Sequence, residues 1–355
     1  MRVLITGGAG FVGGNLVFSL AERHPDWEIV ALDNLMRRGS ELNLPRLREA
    51  GVEFIHGDVR EPADLKAAGP FDAMVECSAE PSVLAGFGDP SYSVQTNLIG
   101  AFNCLELARA QEAFVVFLST SRVYPVAPQL ELELEEAETR FELSASQPVT
   151  GAGPAGIAED FPLAGARTLY GATKLSAELL IEEYADAFGL CAVTNRCGVI
   201  AGPWQMGKVD QGVFSWWLLS HRFGRPLSYI GYGGCGKQVR DLLHIDDLTD
   251  LVDEQLGDPE RWSGVTANVG GGRECSLSLL ETTAICRELT GNEVPIGVEP
   301  ETRPGDVPVY LSDCSHLHSL TSWRPRRGPR DVLADLLEWS AAHEDSLRTA
   351  LGFER

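Results

Sequence analysis

At 355 residues with 44% hydrophobic content, the chain is long enough for one large domain or two joined ones, burying about 75% of the surface it exposes when unfolded. Its net charge of −22 repels polyanions, which excludes nucleic acid and anionic membrane as general partners, yet leaves room for a small anionic ligand where cations are gathered. No apolar run approaches the roughly 18 residues that a membrane span needs.

"MRVLITGG" enters a β-rich run at Arg2, which leaves no room for a signal peptide. The eight cysteines form no C-x-x-C pair and no zinc spacing, so no metal site is expected and a reducing cytoplasm is the expected compartment. Short apolar runs at 2–6, 28–32, 52–59, 71–77 and 113–120 read as strands buried on both faces. Helical patterns separate them. One at 11–23 carries Val12, Leu16 and Leu20 on a stripe; another at 91–110 carries Leu98, Phe102, Leu105 and Leu107. The alternation predicts an α/β fold with a doubly wound parallel sheet, a Rossmann sheet, over 1–195.

The first strand runs into "TGGAGFVGG", with Gly7, Gly10 and Gly13 three apart before a helix. Such a turn lets backbone N–H groups and the helix dipole meet a pyrophosphate with no Cβ in the way. Asp33 closes the second strand, where a carboxylate hydrogen-bonds ribose hydroxyls and repels a 2′-phosphate, favouring NAD over NADP. Arg37 and Arg38 temper this, since an arginine there accepts that phosphate. Asp58 and Val59, ending the third strand, are placed to meet the adenine.

Residues 128–167 break the rhythm with the acidic "QLELELEEAETRFEL" and then a Gly-, Pro- and Ala-rich stretch, which read as a solvated excursion or a flap beside a site. They lead into "TLYGATKL", which sets Tyr170 and Lys174 one helical turn apart. Tyrosine titrates near 10, but an ammonium about 4 Å away stabilises the phenolate by up to roughly 4 kcal/mol, or around two to three units. Such a tyrosine takes the proton of an alcohol while hydride leaves the same carbon. Upstream, "LSTSRVY" offers Thr120 at a strand end as a bridging hydroxyl. From 196 onward, mixed helices and short strands predict a smaller α/β substrate-binding lobe over 196–355, with 240–260 returning to the first domain.

Together "TGGAGFVG", "ALDNL", "GDV", "NLIGAFNCLELA", "STSRVY", "YGATK", "KQVRDLLHIDD" and "TRPGD" resemble the extended short-chain dehydrogenase/reductase family, the nucleotide-sugar epimerases and dehydratases. The resemblance implies Thr120, Tyr170 and Lys174 as a catalytic trio, a tightly held NAD with Asn97 near its nicotinamide, and a homodimer through helices 91–110 and 170–188. The cofactor set drawn on it adds Phe11, Val12, Asn34, Arg37 and Ser78. The substrate set is Glu80, Arg122, Arg196, Lys208, Gln211, Arg240 and Arg303. A nucleotide diphosphate needs converging cations in so acidic a chain, a need that Arg240 and Arg303 are placed to meet, while Lys208 and Gln211 are expected to reach base or sugar. For Arg240 the alternative is a surface ion pair with Asp241 or Asp246. His244, Trp216 and Trp217 read as packed side chains, and Glu131–Glu138 as a solvated face.

Within the family, "DNLMRRGSELNL", "GPWQMGKVDQGV" and "GKQVRDLLHIDDL" look most like the CDP-paratose (CDP-tyvelose) 2-epimerases. Dehydratases of the family carry an Asp-Glu pair after the threonine; here Ser121 and Arg122 follow, so elimination is not expected. The stretch that usually reads "HLAA" is "ECSAE" (76–80) here. The expected activity is epimerisation of a nucleotide-activated (deoxy)hexose by transient oxidation and re-reduction, most closely at C2 of a CDP-dideoxyhexose. A 4-epimerase, a net dehydrogenase and a non-enzymatic NAD-sensing scaffold remain the alternatives.

Overall fold

The computed structural model describes residues 1–207 and 211–352. The chain folds as two compact units, one formed by Met1–Val123, Leu169–Arg196 and Thr249–Thr266, the other by Tyr124–Thr168, Cys197–Leu248 and Ala267–Arg355.

In chain order the elements that build the central sheet and its cover are β1 (Arg2–Thr6), α1 (Phe11–Arg23), β2 (Glu28–Asp33), β3 (Glu53–His56), β4 (Ala73–Glu76), α2 (Gly100–Ala110), β5 (Phe114–Thr120), α3 (Leu169–Phe188), β6 (Ala192–Cys197) and β7 (Thr266–Val269). The seven strands are parallel and lie in the order β7-β6-β5-β4-β1-β2-β3. Val3 of β1 stands level with Ile29 of β2 and with Ala73 of β4, so the reversal of strand order falls at β1. That is the switch point where α/β sheets open a crevice at their carboxyl ends.

The strands are apolar throughout because helices cover both faces. Leu4, Val30, Met74, Val115 and Phe117 are buried against Ala101, Cys104, Leu105 and Ala108 of α2 and against Ala177 and Ile181 of α3. The predicted continuous helix over 91–110 is interrupted: Gln95–Ile99 forms a π-helical turn between a short helix at Pro90–Val94 and α2. The inserted turn rotates the buried stripe, so Phe102, expected on the apolar face, is 40% exposed and Ala101, Cys104, Leu105 and Ala108 face inward.

The second unit takes in the segment 124–168, which the sequence pattern places with the first domain. Long-range hydrogen bonds account for this: Ile157 N–H donates to the Leu311 carbonyl (2.8 Å), Asn268 Nδ2 to the Ile157 carbonyl (2.8 Å), and the Tyr124 hydroxyl to Asn268 Oδ1 (2.8 Å). Within that segment Leu134–Glu136 pairs antiparallel with Phe141–Leu143, leaving the glutamates of the acidic run exposed. A small sheet of Val199–Ala201, Val239–His244, Ser276–Ser278 and Val309–Tyr310 and the helices Val213–Phe223, Leu279–Thr290 and Pro329–Ala342 complete the unit. Phe214, Trp217, Leu277, Cys286, Leu336 and Trp339 fill its core, with Trp216 packed against it. No described helix is long and apolar enough to cross a membrane.

Leu105 is 2% exposed beneath the sheet. Leu105→Ala is expected to cost about 2–5 kcal/mol of stability, read as a lower denaturant midpoint.

Candidate active site

Gly7 leaves β1 with φ +64, a left-handed conformation that L side chains rarely adopt, and a Cβ there would lie 3.1 Å from the Cys77 backbone. Gly10 caps α1 without any side-chain hydrogen bond, and no acidic residue occupies the first turn. A Cβ on Gly13 would come within 2.2 Å of the Gly7 carbonyl oxygen, so loop and helix touch backbone to backbone. By helix geometry the N–H groups of Phe11, Val12 and Gly13 have no carbonyl acceptor within the helix. These features fit a pyrophosphate, which would supply the missing acceptors and the negative charge that the helix N-terminus favours.

Asp33 is held at the end of β2. Its Oδ2 accepts from Ala9 N–H at 3.1 Å and its Oδ1 from Leu35 N–H at 2.7 Å. Burial raises its pKa, opposed by the N–H groups of Leu35, Ala9 and Gly10. Leu35 adopts φ 56, a left-handed conformation that turns the chain beside the carboxylate. Asn34 Nδ2 donates to Asp58 Oδ2 at 2.8 Å, and Arg60 grips Asp58 through Nε (2.9 Å) and Nη2 (2.6 Å), holding that carboxyl down to about 2. Val59, expected beside the adenine, is 4% exposed and packs where a Cβ on Gly100 would lie only 2.6 Å from it. Arg37 is half-buried and Arg38 exposed in the loop that follows β2.

At the carboxyl end of β4, Ser78 Oγ donates to Glu76 Oε1. Asn97, in the π-helical turn, uses both ends of its amide on Glu80: Oδ1 accepts from the Glu80 N–H (2.7 Å) and Nδ2 donates to its carbonyl (3.1 Å). The Glu80 side chain accepts from Ser82 N–H at 3.0 Å. Thr120 ends β5, 8% exposed, its Oγ1 accepting from the Arg122 N–H at 3.2 Å. Tyr170 and Lys174 lie one turn apart on α3, Tyr170 half-buried and Lys174 1% exposed. Lys174 Nζ is 3.3 Å from Glu76 Oε2 and 4.0 Å from the centroid of the Phe117 ring.

Arg196, expected on the substrate, is 5% exposed at the end of β6, and its Nε (3.1 Å) and Nη2 (2.8 Å) both donate to Glu178 Oε2, which ties the guanidinium into the fold. Glu178 also accepts from Ser119 Oγ. Glu76 opens the unusual "ECSAE" stretch but was given no role from the sequence, and Glu178 did not stand out, although the spacing Tyr170, Lys174, Glu178 repeats every four residues along one helix face and was there to be read.

In the second unit, Arg240, expected on the substrate, is paired with Asp306 (2.6 Å) and donates to the Val307 carbonyl (2.7 Å), a different carboxylate from the Asp241 or Asp246 weighed as its alternative partners. Arg303 begins the turn that presents Asp306, its carbonyl accepting from Asp306 N–H at 3.1 Å. Gln211 is half-buried, with its Oε1 buried and unpartnered among the described residues. Lys208 lies outside the described residues. His244 is packed as expected, 1% exposed, its Nδ1 accepting from Asp246 N–H at 3.0 Å.

Residues 3–270 match the model of the NAD dependent epimerase/dehydratase family. The chain is similar to CDP-paratose 2-epimerase of Salmonella typhi, 28% identical over 96% of this chain and 100% of that protein. It is also similar to dTDP-glucose 4,6-dehydratase of Mycobacterium tuberculosis, 31% identical over 97% of this chain and 94% of that one. Among solved structures, the UDP-glucose 4-epimerase of Thermus thermophilus in complex with NAD superposes with a TM-score of 0.76 at 26% identity, covering 96% and 100% of the two chains.

Two predictions follow from the buried charges. Glu178→Gln strands a buried guanidinium and is expected to cost about 3–5 kcal/mol, measured by denaturant unfolding. Asp241, fully buried and accepting from Gly272 and Ser312 N–H groups (both 3.2 Å), has its carboxyl pushed by burial from 3.8 to about 6. The folded chain therefore binds that proton more tightly than the unfolded one. Its contribution to stability is full below about pH 4 and is lost as pH rises through about 6. Asp241→Asn is expected to flatten that slope in a plot of thermal midpoint against pH.

Proposed function

The chain belongs to the NAD-dependent epimerase/dehydratase family, and on that premise we propose that it epimerises a nucleotide-activated (deoxy)hexose, at C2 of a CDP-dideoxyhexose. The observation that carries this reading is the pairing of the Tyr170–Lys174 helix turn with a Thr120 followed by Ser121 and Arg122. A base is provided for a hydroxyl proton, while the adjacent acid–base pair that water loss requires is missing. The end-to-end similarity to the Salmonella protein supports the choice of carbon and nucleotide.

When bound, NAD would supply a hydride acceptor for oxidation of the sugar and a hydride donor for its re-reduction. The chain's own residues manage protons and position. The Tyr170 phenolic oxygen takes the hydroxyl proton and gives it back on re-reduction, the Lys174 ammonium favours the phenolate, and the Thr120 hydroxyl orients the sugar. Arg240 and Arg303, gathered by one turn of the second unit, are assigned to the diphosphate and Gln211 to base or sugar. The half-exposed Phe102 (40%) of α2 and Leu179 (53%) of α3 support a homodimer through these helices.

The test is incubation of the purified protein with CDP-, UDP-, GDP- and dTDP-hexoses. Deuterium at the inverted carbon is expected to remain in the product; its loss to solvent, or steady accumulation of NADH, would rule out this reaction. Tyr170→Phe is expected to lower kcat by about 10²–10⁴ while the protein still retains NAD.

A further inference from the structure

Lys174 is the side chain on which the proposed chemistry leans, and its surroundings pose a physical problem. Its side chain is 2% exposed, wrapped by a helix and a sheet, where water does little to solvate an ammonium. The face of Phe117 offers a weak attraction at 4.0 Å. The full opposite charge comes from Glu76, itself 3% exposed and 3.3 Å away at the carboxyl end of β4. Ser78 Oγ fixes the other carboxylate oxygen, so the carboxylate is aimed and not merely near. This glutamate opens the "ECSAE" stretch, where the chain departs from the pattern it otherwise resembles.

We propose that Glu76 is a positioning residue that keeps Lys174 charged and in place, and through it sets the acidity of Tyr170. The inference rests on the assignment of Tyr170 as the base. Two effects of the carboxylate oppose each other. Directly, it repels a phenolate; indirectly, it maintains the cation that stabilises one. The indirect effect wins, because the carboxylate spends its charge on the ammonium in contact with it, while an ammonium stripped of that contact in so dry a site withdraws or gives up its proton.

The experiment is a pH titration of phenolate ultraviolet absorbance on the full-length protein, with Tyr170 isolated by subtracting the same titration of Tyr170→Phe. Glu76→Gln is expected to raise the Tyr170 midpoint by roughly one to two units. In a Lys174→Met background the same change is expected to move it little. A midpoint that stays or falls in Glu76→Gln, or that moves equally in both backgrounds, overturns the proposal. Should Glu76→Gln not fold, Glu76→Asp keeps the charge but withdraws it by a methylene, and a smaller rise is expected; no rise overturns the proposal. Failure of the functional reading looks different, since the unaltered protein would then epimerise none of the nucleotide hexoses, or Tyr170→Phe would keep the activity, whatever the titrations show.

Discussion

A charge taken out of water has to be matched inside the protein, and helix α3 carries two such charges, of opposite sign, one turn apart. Lys174 meets Glu76 of β4, and Glu178 meets Arg196 of β6, with Ser119 of β5 bonded to the same carboxylate. Three neighbouring strands thus engage one face of the helix. Rotating α3 by a single residue would break both pairs and bury four uncompensated charges, a cost well beyond what rearranged apolar contacts return. The pairs specify the helix's rotation more than they add to its stability. That rotation is what puts Tyr170, a turn before Lys174, on the face that also carries the charges.

A second constraint acts at the carboxyl end of β1. Gly7, Gly10 and Gly13 leave no space between loop and helix for side chains, so polar backbone is brought to the surface of the crevice. The loop is then tied sideways: Ala9 donates to Asp33 through its N–H and accepts from Asn43 Nδ2 at 2.9 Å through its carbonyl. The glycine-loop backbone and the Asp33 carboxylate are therefore one hydrogen-bonded piece. Asn97 plays the matching part further along, because the π-helical turn swings its amide onto the Glu80 backbone and shapes the loop after β4.

Much of this was legible in the sequence, for identifiable reasons. The doubly buried strands announce themselves as apolar runs, and the glycine loop combines a spacing with a strand-to-helix context. Tyr170, Lys174 and Thr120 were picked out by type and spacing. The residues that escaped are those whose meaning depends on tertiary partners. Glu178 looks like any helical glutamate until Arg196 is found beside it, and Arg196 looks like a ligand-binding cation until Glu178 is found. The π-helical turn was hidden because one inserted residue shifts the helical period by too little for a hydrophobic stripe to register. Segment 124–168 was assigned to the wrong neighbour because its anchoring hydrogen bonds, to Leu311 and Asn268, join residues more than a hundred positions apart.

The chain's acidity gives the remaining arginines their character. In a protein of net charge −22, carboxylates outnumber cations, and Arg240 is held by Asp306. An anion that reaches Arg240 consequently exchanges with a carboxylate and not with water alone, so its gain is the difference between two ion pairs. The proposed diphosphate, with more charge and more acceptor oxygens than one carboxylate, would come out ahead in that exchange, whereas a singly charged anion would gain almost nothing. Asp306 stands in the turn that begins at Arg303, so the two arginines proposed for the diphosphate are tied to one turn. On that proposal, an acidic chain would discriminate among anions by keeping its cations occupied.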